Sequence, residues 1–257
     1  MENSTQQKEL RRYYIALYRA WGPQHWWPAE TPFEVILGAY LTQNTAWTNV
    51  ERALANLRSA HALSLDALRN MRISRLERLL RPSGYFRQKA KRIKAFITFL
   101  DREYGGSLDK LFSQPTSKLR EQLLGLNGVG PETADSILLY SANHPVFVVD
   151  AYTRRILDRH NISPASADYE EIRKLFEQAL APITEEQCKR PEPAQLESGI
   201  RGANHPPSAM SLAKRTARAQ VYNEMHGLMV GVGKHHCGKS KPNCEGCPLQ
   251  QFLPDVN

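Results

Sequence analysis

One carboxylate stands out in the 257-residue chain. Asp150 closes an apolar approach, Phe147-Val148-Val149, and opens a stretch of helical character, Ala151 to Leu157. Aspartate is a preferred N-cap, and capping alone would account for it there. The same group, fixed beside a cleft, could stabilise positive charge that develops during bond cleavage and could orient or deprotonate an attacking water. The local sequence leaves both readings open.

Two further clusters carry chemistry. Between Leu119 and Leu139 a leucine-rich helical pattern breaks at Leu126-Asn127-Gly128-Val129-Gly130-Pro131 and resumes at Glu132-Thr133-Ala134. Gly128 and Gly130 can take backbone angles closed to other residues and let a ligand approach the amides. The first amides of the second helix then form a seat for a phosphate, one that positions a nucleic-acid backbone without reading its sequence. An ordinary glycine-capped helix turn is the competing reading. Near the end, Cys237, Cys244 and Cys247 form a C-x6-C-x2-C pattern. Their crowding suits a metal better than a disulfide framework.

The elements that must hold these groups are helices. Apolar residues recur at helical spacing at Leu10, Tyr14, Leu17 and Tyr18, at Leu54 and Leu57, and at Ile93, Phe96, Ile97 and Leu100. Turn signals separate them at Trp27-Pro28, Arg81-Pro82-Ser83-Gly84, Gly105-Gly106 and Gln114-Pro115. Short helices on short loops imply an all-α bundle. Residues 185–207, rich in proline and charge, read as a mobile surface loop. A hydrophobic content of 41% can furnish a core, and the net charge of +8 fits a polyanionic partner or a merely basic enzyme. No apolar run approaches the roughly 20 residues that span a bilayer, and the polar start lacks a signal segment, so a soluble, cytoplasmic protein is expected.

Taken together, these segments resemble the helix-hairpin-helix (HhH-GPD) base-excision DNA glycosylase superfamily, whose type member is endonuclease III. The resemblance rests on the hairpin L-x-G-x-G-P-x-T-A, on V-V-D-x-x-x-x-R around Asp150, on Phe33 to Thr45, which matches the L-x-x-Q segment, and on Gly84 to Ala90, which matches G-x-x-x-x-K-A. It implies a two-lobed helical fold. A six-helix barrel would span 27–149, with the hairpin at about 119–140, and residues 1–26 with 150–257 would form a second helical lobe ending in the Cys-rich loop at 237–247. It further implies a monomer acting on double-stranded DNA that contains a damaged base, nucleoid-associated, with Asp150 as the catalytic aspartate and Gln43 filling the space left by an extruded nucleotide. On local grounds Gln43 could equally be an amide satisfying backbone. Gly128, Gly130, Thr133 and Lys89 are the expected DNA contacts.

Members that also nick the backbone carry a lysine two residues after the second hairpin glycine, where this chain has Glu132. A carboxylate cannot form an imine, so hydrolysis without lyase chemistry is expected. Within the superfamily the segments at 27–34 and 41–47 are most similar to the monofunctional 3-methyladenine glycosylases. A cationic methylpurine could stack on Trp26, Trp27, Tyr40 or Trp47, beside Glu132, although many such aromatics simply fill a core. Mismatched thymine, uracil or an oxidised base are alternatives, as is a DNA-damage-binding module without catalysis. The resemblance also suggests a [4Fe-4S] cluster on Cys237, Cys244 and Cys247, but the fourth cysteine is replaced by Leu253. Cys188, His235 or His236 could complete the set, zinc could replace the cluster, or the loop could bind nothing.

Overall fold

A computed structural model describes residues 2–183 and 206–254, and every regular element among them is helical. The loop expected at 185–207, all but its last two residues, and Cys188 lie outside the described residues. The chain forms two compact units, one of residues 1–28 with 145–257 and the other of residues 29–144.

The unit of residues 29–144 is built around α2 (Pro32–Leu41), in which Phe33 to Leu41 are all buried. A helix apolar on every side must be enclosed, and α2 packs against α3 (Trp47–Ser59), α6 (Phe86–Tyr104) and the wide π turn Ile137–Ser141. Its start is fixed locally. Pro32 needs no amide partner, and the Thr31 hydroxyl accepts from the Glu34 amide at 3.1 Å. The short helices α4 (Leu65–Asn70), α5 (Ile73–Leu79) and α7 (Leu108–Phe112) surround α6. Helices α8 (Thr116–Leu124) and α9 (Pro131–Ser136) form the hairpin. Arg120 of α8 grips the fully buried Asp135 of α9 through both guanidinium and carboxylate arms, at 2.7 and 3.1 Å. This bidentate pair holds the hairpin's two arms together.

The other unit contains α1 (Glu2–Trp21), α10 (Ala151–Arg159), α11 (Tyr169–Leu180) and α12 (Ala217–His235). Its core helix is α12, buried without a break from Val221 to Gly233 and packed on α1, α10 and α11. Gly233 is where α10 comes closest, since a methyl there would fall 2.2 Å from the Tyr152 ring.

Asp135→Ala strands the largely buried Arg120 without its carboxylate and should lower stability by about 3 kcal/mol, read as a reduced midpoint in urea unfolding. An unchanged midpoint would show that the ion pair does not hold the hairpin.

Candidate active site

Asp150 is the N-cap of α10, as its sequence position suggested, with Oδ1 accepting from the Thr153 amide at 2.7 Å. Its other oxygen, Oδ2, faces His226 Nε2 of α12 at 3.6 Å. Burial works to protonate the acid, but the His226 ring and the Thr153 backbone and side chain outweigh it and hold the carboxyl below its usual range. Trp26 sits edge-on to the His226 ring at 6.1 Å between centroids and against Trp27 at 5.5 Å. Both tryptophans are only 5% exposed. The Lys234 ammonium lies 5.8 Å from the Trp26 ring centre.

In the 29–144 unit the hairpin and Gln43 are joined directly. Gln43 Nε2 donates to the Gly128 carbonyl at 3.0 Å and to the Thr133 hydroxyl at 2.9 Å, while its Oε1 accepts from Arg92 at 2.6 Å. Gln43 thus satisfies backbone, one of its two readings, and is clamped to the hairpin by the same bonds. Gly128 has φ +77°, and a Cβ there would fall 2.0 Å from Arg92 Nε. Glycine is needed on both counts. Gly130 differs from the expectation: its φ of −93° and ψ of 177° are ordinary extended backbone, and a Cβ there meets nothing within 4 Å. Its lack of a side chain leaves the start of α9 open.

Several expected contacts are corrected by burial, among them Trp26 and Trp27, which at 5% exposure offer little surface for stacking. Lys89 does not face a phosphate. It is 1% exposed, and its Nζ donates to the carbonyls of Leu41 at 2.8 Å and Ser83 at 2.7 Å, closing the C-terminal end of α2 just before Gln43. Burial, aided by Arg92, pulls its pKa down to about 8. Tyr40 is 1% exposed and packs on Phe96 in the unit's core, so it offers no stacking surface. Thr133 is also buried, its hydroxyl committed to Gln43. Trp47 remains partly exposed, with its indole N–H on Glu51 at 3.0 Å. Glu132 is exposed in the first turn of α9.

Sequence reasoning missed Arg92, His226 and Tyr85. Arg92 lies one helical turn beyond Lys89, a weak signal at best. Tyr85, 67% exposed with φ +44°, is a large apolar group presented at the start of α6, and its place beside Gly84 was the available clue.

The cysteine segment closes on itself. Cys237 is buried, its Sγ accepts from Arg159 at 3.1 Å, and its carbonyl accepts from Arg155 at 2.7 Å. Arg159 also binds the Gly238 and Lys239 carbonyls at 2.7 and 3.2 Å. Cys244 and Cys247 are partly buried, and burial first, with the other two sulfurs, pushes the Cys247 thiol up to about 11. His236 Nδ1 is shared with the Asn243 carbonyl. Among the described residues no three His, Cys, Asp or Glu side chains are arranged to hold a metal ion, and Leu253 stands where a fourth thiolate is needed. The described residues therefore do not make a complete ligand set for a cluster or zinc.

The chain matches the family model of the HhH-GPD superfamily base excision DNA repair proteins over residues 37–182. It belongs to that superfamily. A Methanocaldococcus jannaschii protein provisionally named a DNA repair glycosylase is 38% identical over 244 residues, covering 95% of this chain and 94% of its own. Endonuclease III of Thermotoga maritima is 27% identical, with 85% of this chain and 81% of its own covered. Among solved structures, the H. pylori 3-methyladenine DNA glycosylase MagIII bound to 1,N6-ethenoadenine superposes with a TM-score of 0.65 at 28% identity, over 91% of this chain and 98% of that one. The superfamily member described here is therefore an all-α DNA glycosylase of base-excision repair. Among its described residues no helix is long and apolar enough to cross a membrane.

Because the Lys89 pKa lies near 8 in the folded chain and higher in the unfolded one, the unfolded state binds more protons in between. Stability should therefore gain from this group as pH rises from about 8 to 10.5. Lys89→Met should abolish that gain and, by leaving two carbonyls unsatisfied, cost about 2 kcal/mol at pH 7, both measured by denaturant unfolding across pH.

Proposed function

We propose that this glycosylase is monofunctional and releases alkylated purines such as 3-methyladenine from double-stranded DNA by hydrolysis, with Asp150 as its catalytic residue. The observation that carries the reading is the Asp150 carboxylate fixed at the start of a helix by the Thr153 amide, opposite His226 and next to an aromatic cluster. As the glycosidic bond lengthens, its electron pair leaves with the base and positive charge grows on the sugar. An anion of fixed direction lowers the energy of that state. Water then attacks C1′, and its proton passes to the Asp150 carboxylate. Glu132 occupies the position of the lyase lysine, which supports water over an amine as nucleophile.

The choice of alkylated purines draws on the likeness to MagIII. A methylpurine cation leaves readily once extruded. In the same reading the Gly128–Gly130 turn seats a phosphate, Gln43 and Tyr85 enter the duplex beside the extruded nucleotide, and Glu132 and Trp47 line its path. The barrel comprises about 27–149 and the second lobe the remainder. The protein acts as a cytoplasmic monomer.

Base release should be assayed on duplexes that carry methylated purines, uracil, thymine opposite guanine, or 1,N6-ethenoadenine. Methylated DNA should yield free base fastest, and Asp150→Asn should reduce single-turnover release by at least a hundredfold with DNA affinity unchanged or tighter. Preference for uracil or thymine duplexes would overturn the substrate class, and an active Asp150→Asn protein would overturn the mechanism. Borohydride should trap no covalent complex with DNA. In contrast, Gly128→Val should weaken duplex binding in a fluorescence titration, because the new side chain displaces Arg92 and with it Gln43.

A further inference from the structure

A carboxylate as enclosed as Asp150 ought to protonate, since burial favours the neutral acid. One donor is local: the Thr153 amide on Oδ1. The Thr153 side chain acts on the carboxylate as well, and a distant part of the chain contributes His226 of α12, whose Nε2 stands 3.6 Å from Oδ2. That separation is longer than a direct hydrogen bond and short enough for strong electrostatic coupling where water is scarce. The Asp150 side chain is 13% exposed and that of His226 5%.

The packing that puts His226 there is specific. Trp26 and Phe147 meet its ring edge-on, at 6.1 and 6.3 Å between centroids. The next residue on α12, Gly227, lets the 24–26 segment lie against the helix, for a Cβ there would stand 3.0 Å from Gln24 Cβ and 3.1 Å from Trp26 Cβ. Phe147 belongs to the apolar run that delivers Asp150. The imidazole is therefore held from both the segment preceding α2 and the segment preceding α10. Several other ionisable groups of these elements have partners elsewhere. Glu224 accepts from the Gln24 amide and Gln220, Glu177 of α11 accepts from the Phe147 amide and Arg173, the Tyr169 hydroxyl takes the Val149 amide, and Arg155 of α10 binds the Gly233 and Cys237 carbonyls. Lys234 lies over the Trp26 ring.

We infer that His226 is a positioning residue for base release: its Nε2–H holds the second oxygen of Asp150 in line and keeps the acid in its anionic form. The inference rests on the proposed role of Asp150. With the Thr153 amide on one oxygen and His226 beside the other, the carboxylate has one orientation, and each oxygen keeps a lone pair for the reaction. The depressed acidity constant of Asp150 agrees with this arrangement. Without His226, the carboxyl would titrate at higher pH and swing about its cap.

The test uses the full chain with His226→Phe, His226→Asn, His226→Gln and Asp150→Asn, on whichever lesion duplex the wild type cleaves fastest. Single-turnover base release is followed from pH 3 to 9, and affinity is measured on a duplex with a stable abasic analogue. Activity requires ionised Asp150, so it falls as pH drops through that group's pKa. His226→Phe should slow release at neutral pH about tenfold or more and move the acidic limb up by about one unit, with affinity changed less than about twofold. His226→Asn is polar but too short to reach Oδ2, so it should behave alike and serves if the phenylalanine variant does not fold. His226→Gln, whose amide can reach as Nε2 does, should recover most of the rate. If the Phe and Asn variants keep the wild-type rate and acidic limb while Asp150→Asn is inactive, the inference is overturned and the Asp150 reading survives. If Asp150→Asn is itself active, that underlying reading fails first.

Discussion

The constraint on which the site depends is the cap at the start of α10. The bond from the Thr153 amide to Asp150 Oδ1 satisfies one of the free amides that every helix start exposes, a contribution on the order of 1 kcal/mol. It also fixes the direction of a carboxylate that a flexible side chain would otherwise leave free. Capping and the proposed catalysis are then compatible uses of one group. The first consumes part of one oxygen, while His226 and Thr153 together offset the penalty of burial on the carboxylate. The two readings that the sequence left open do not exclude each other.

The same helix secures the cysteine segment at its far end. Arg155 and Arg159 bind the Cys237, Gly238 and Lys239 carbonyls, and Arg159 also reaches the Cys237 sulfur. Charged donors on main-chain acceptors are the stronger class of hydrogen bond, and here they brace a loop whose sulfur set is incomplete. Lys234, Lys239 and Lys241 remain exposed around it, which suits a surface that meets phosphates.

In the other unit, order at the hairpin flows from buried polar groups. Lys89 caps the end of α2 from within and so fixes where Gln43 emerges, and Gln43 is then tied to Gly128, Thr133 and Arg92. A buried amide or ammonium left without partners would cost several kcal/mol, so such a network has few alternative arrangements. The residues that resemble the family's motifs at 84–90 and 126–134 therefore include structural members as well as those proposed to face DNA. Their spacing along the chain did not separate the two kinds.

By itself the sequence determined what depends on neighbours a few positions apart. Helical periodicity, the proline and glycine breaks, the cap at Asp150, the left-handed turn at Gly128 and the missing lysine at Glu132 were all legible, as was the superfamily from the order of its motifs. Tertiary structure alone decided that Lys89 and Tyr40 face inward, that Gly130 is merely extended, and that Arg92 covers Gly128. It also set His226 against Asp150, although 76 positions separate them. The division follows from the range of the forces. Caps and turns are closed by hydrogen bonds within one turn of chain, whereas the burial of a side chain and the charge that faces it are fixed only when whole helix faces pack.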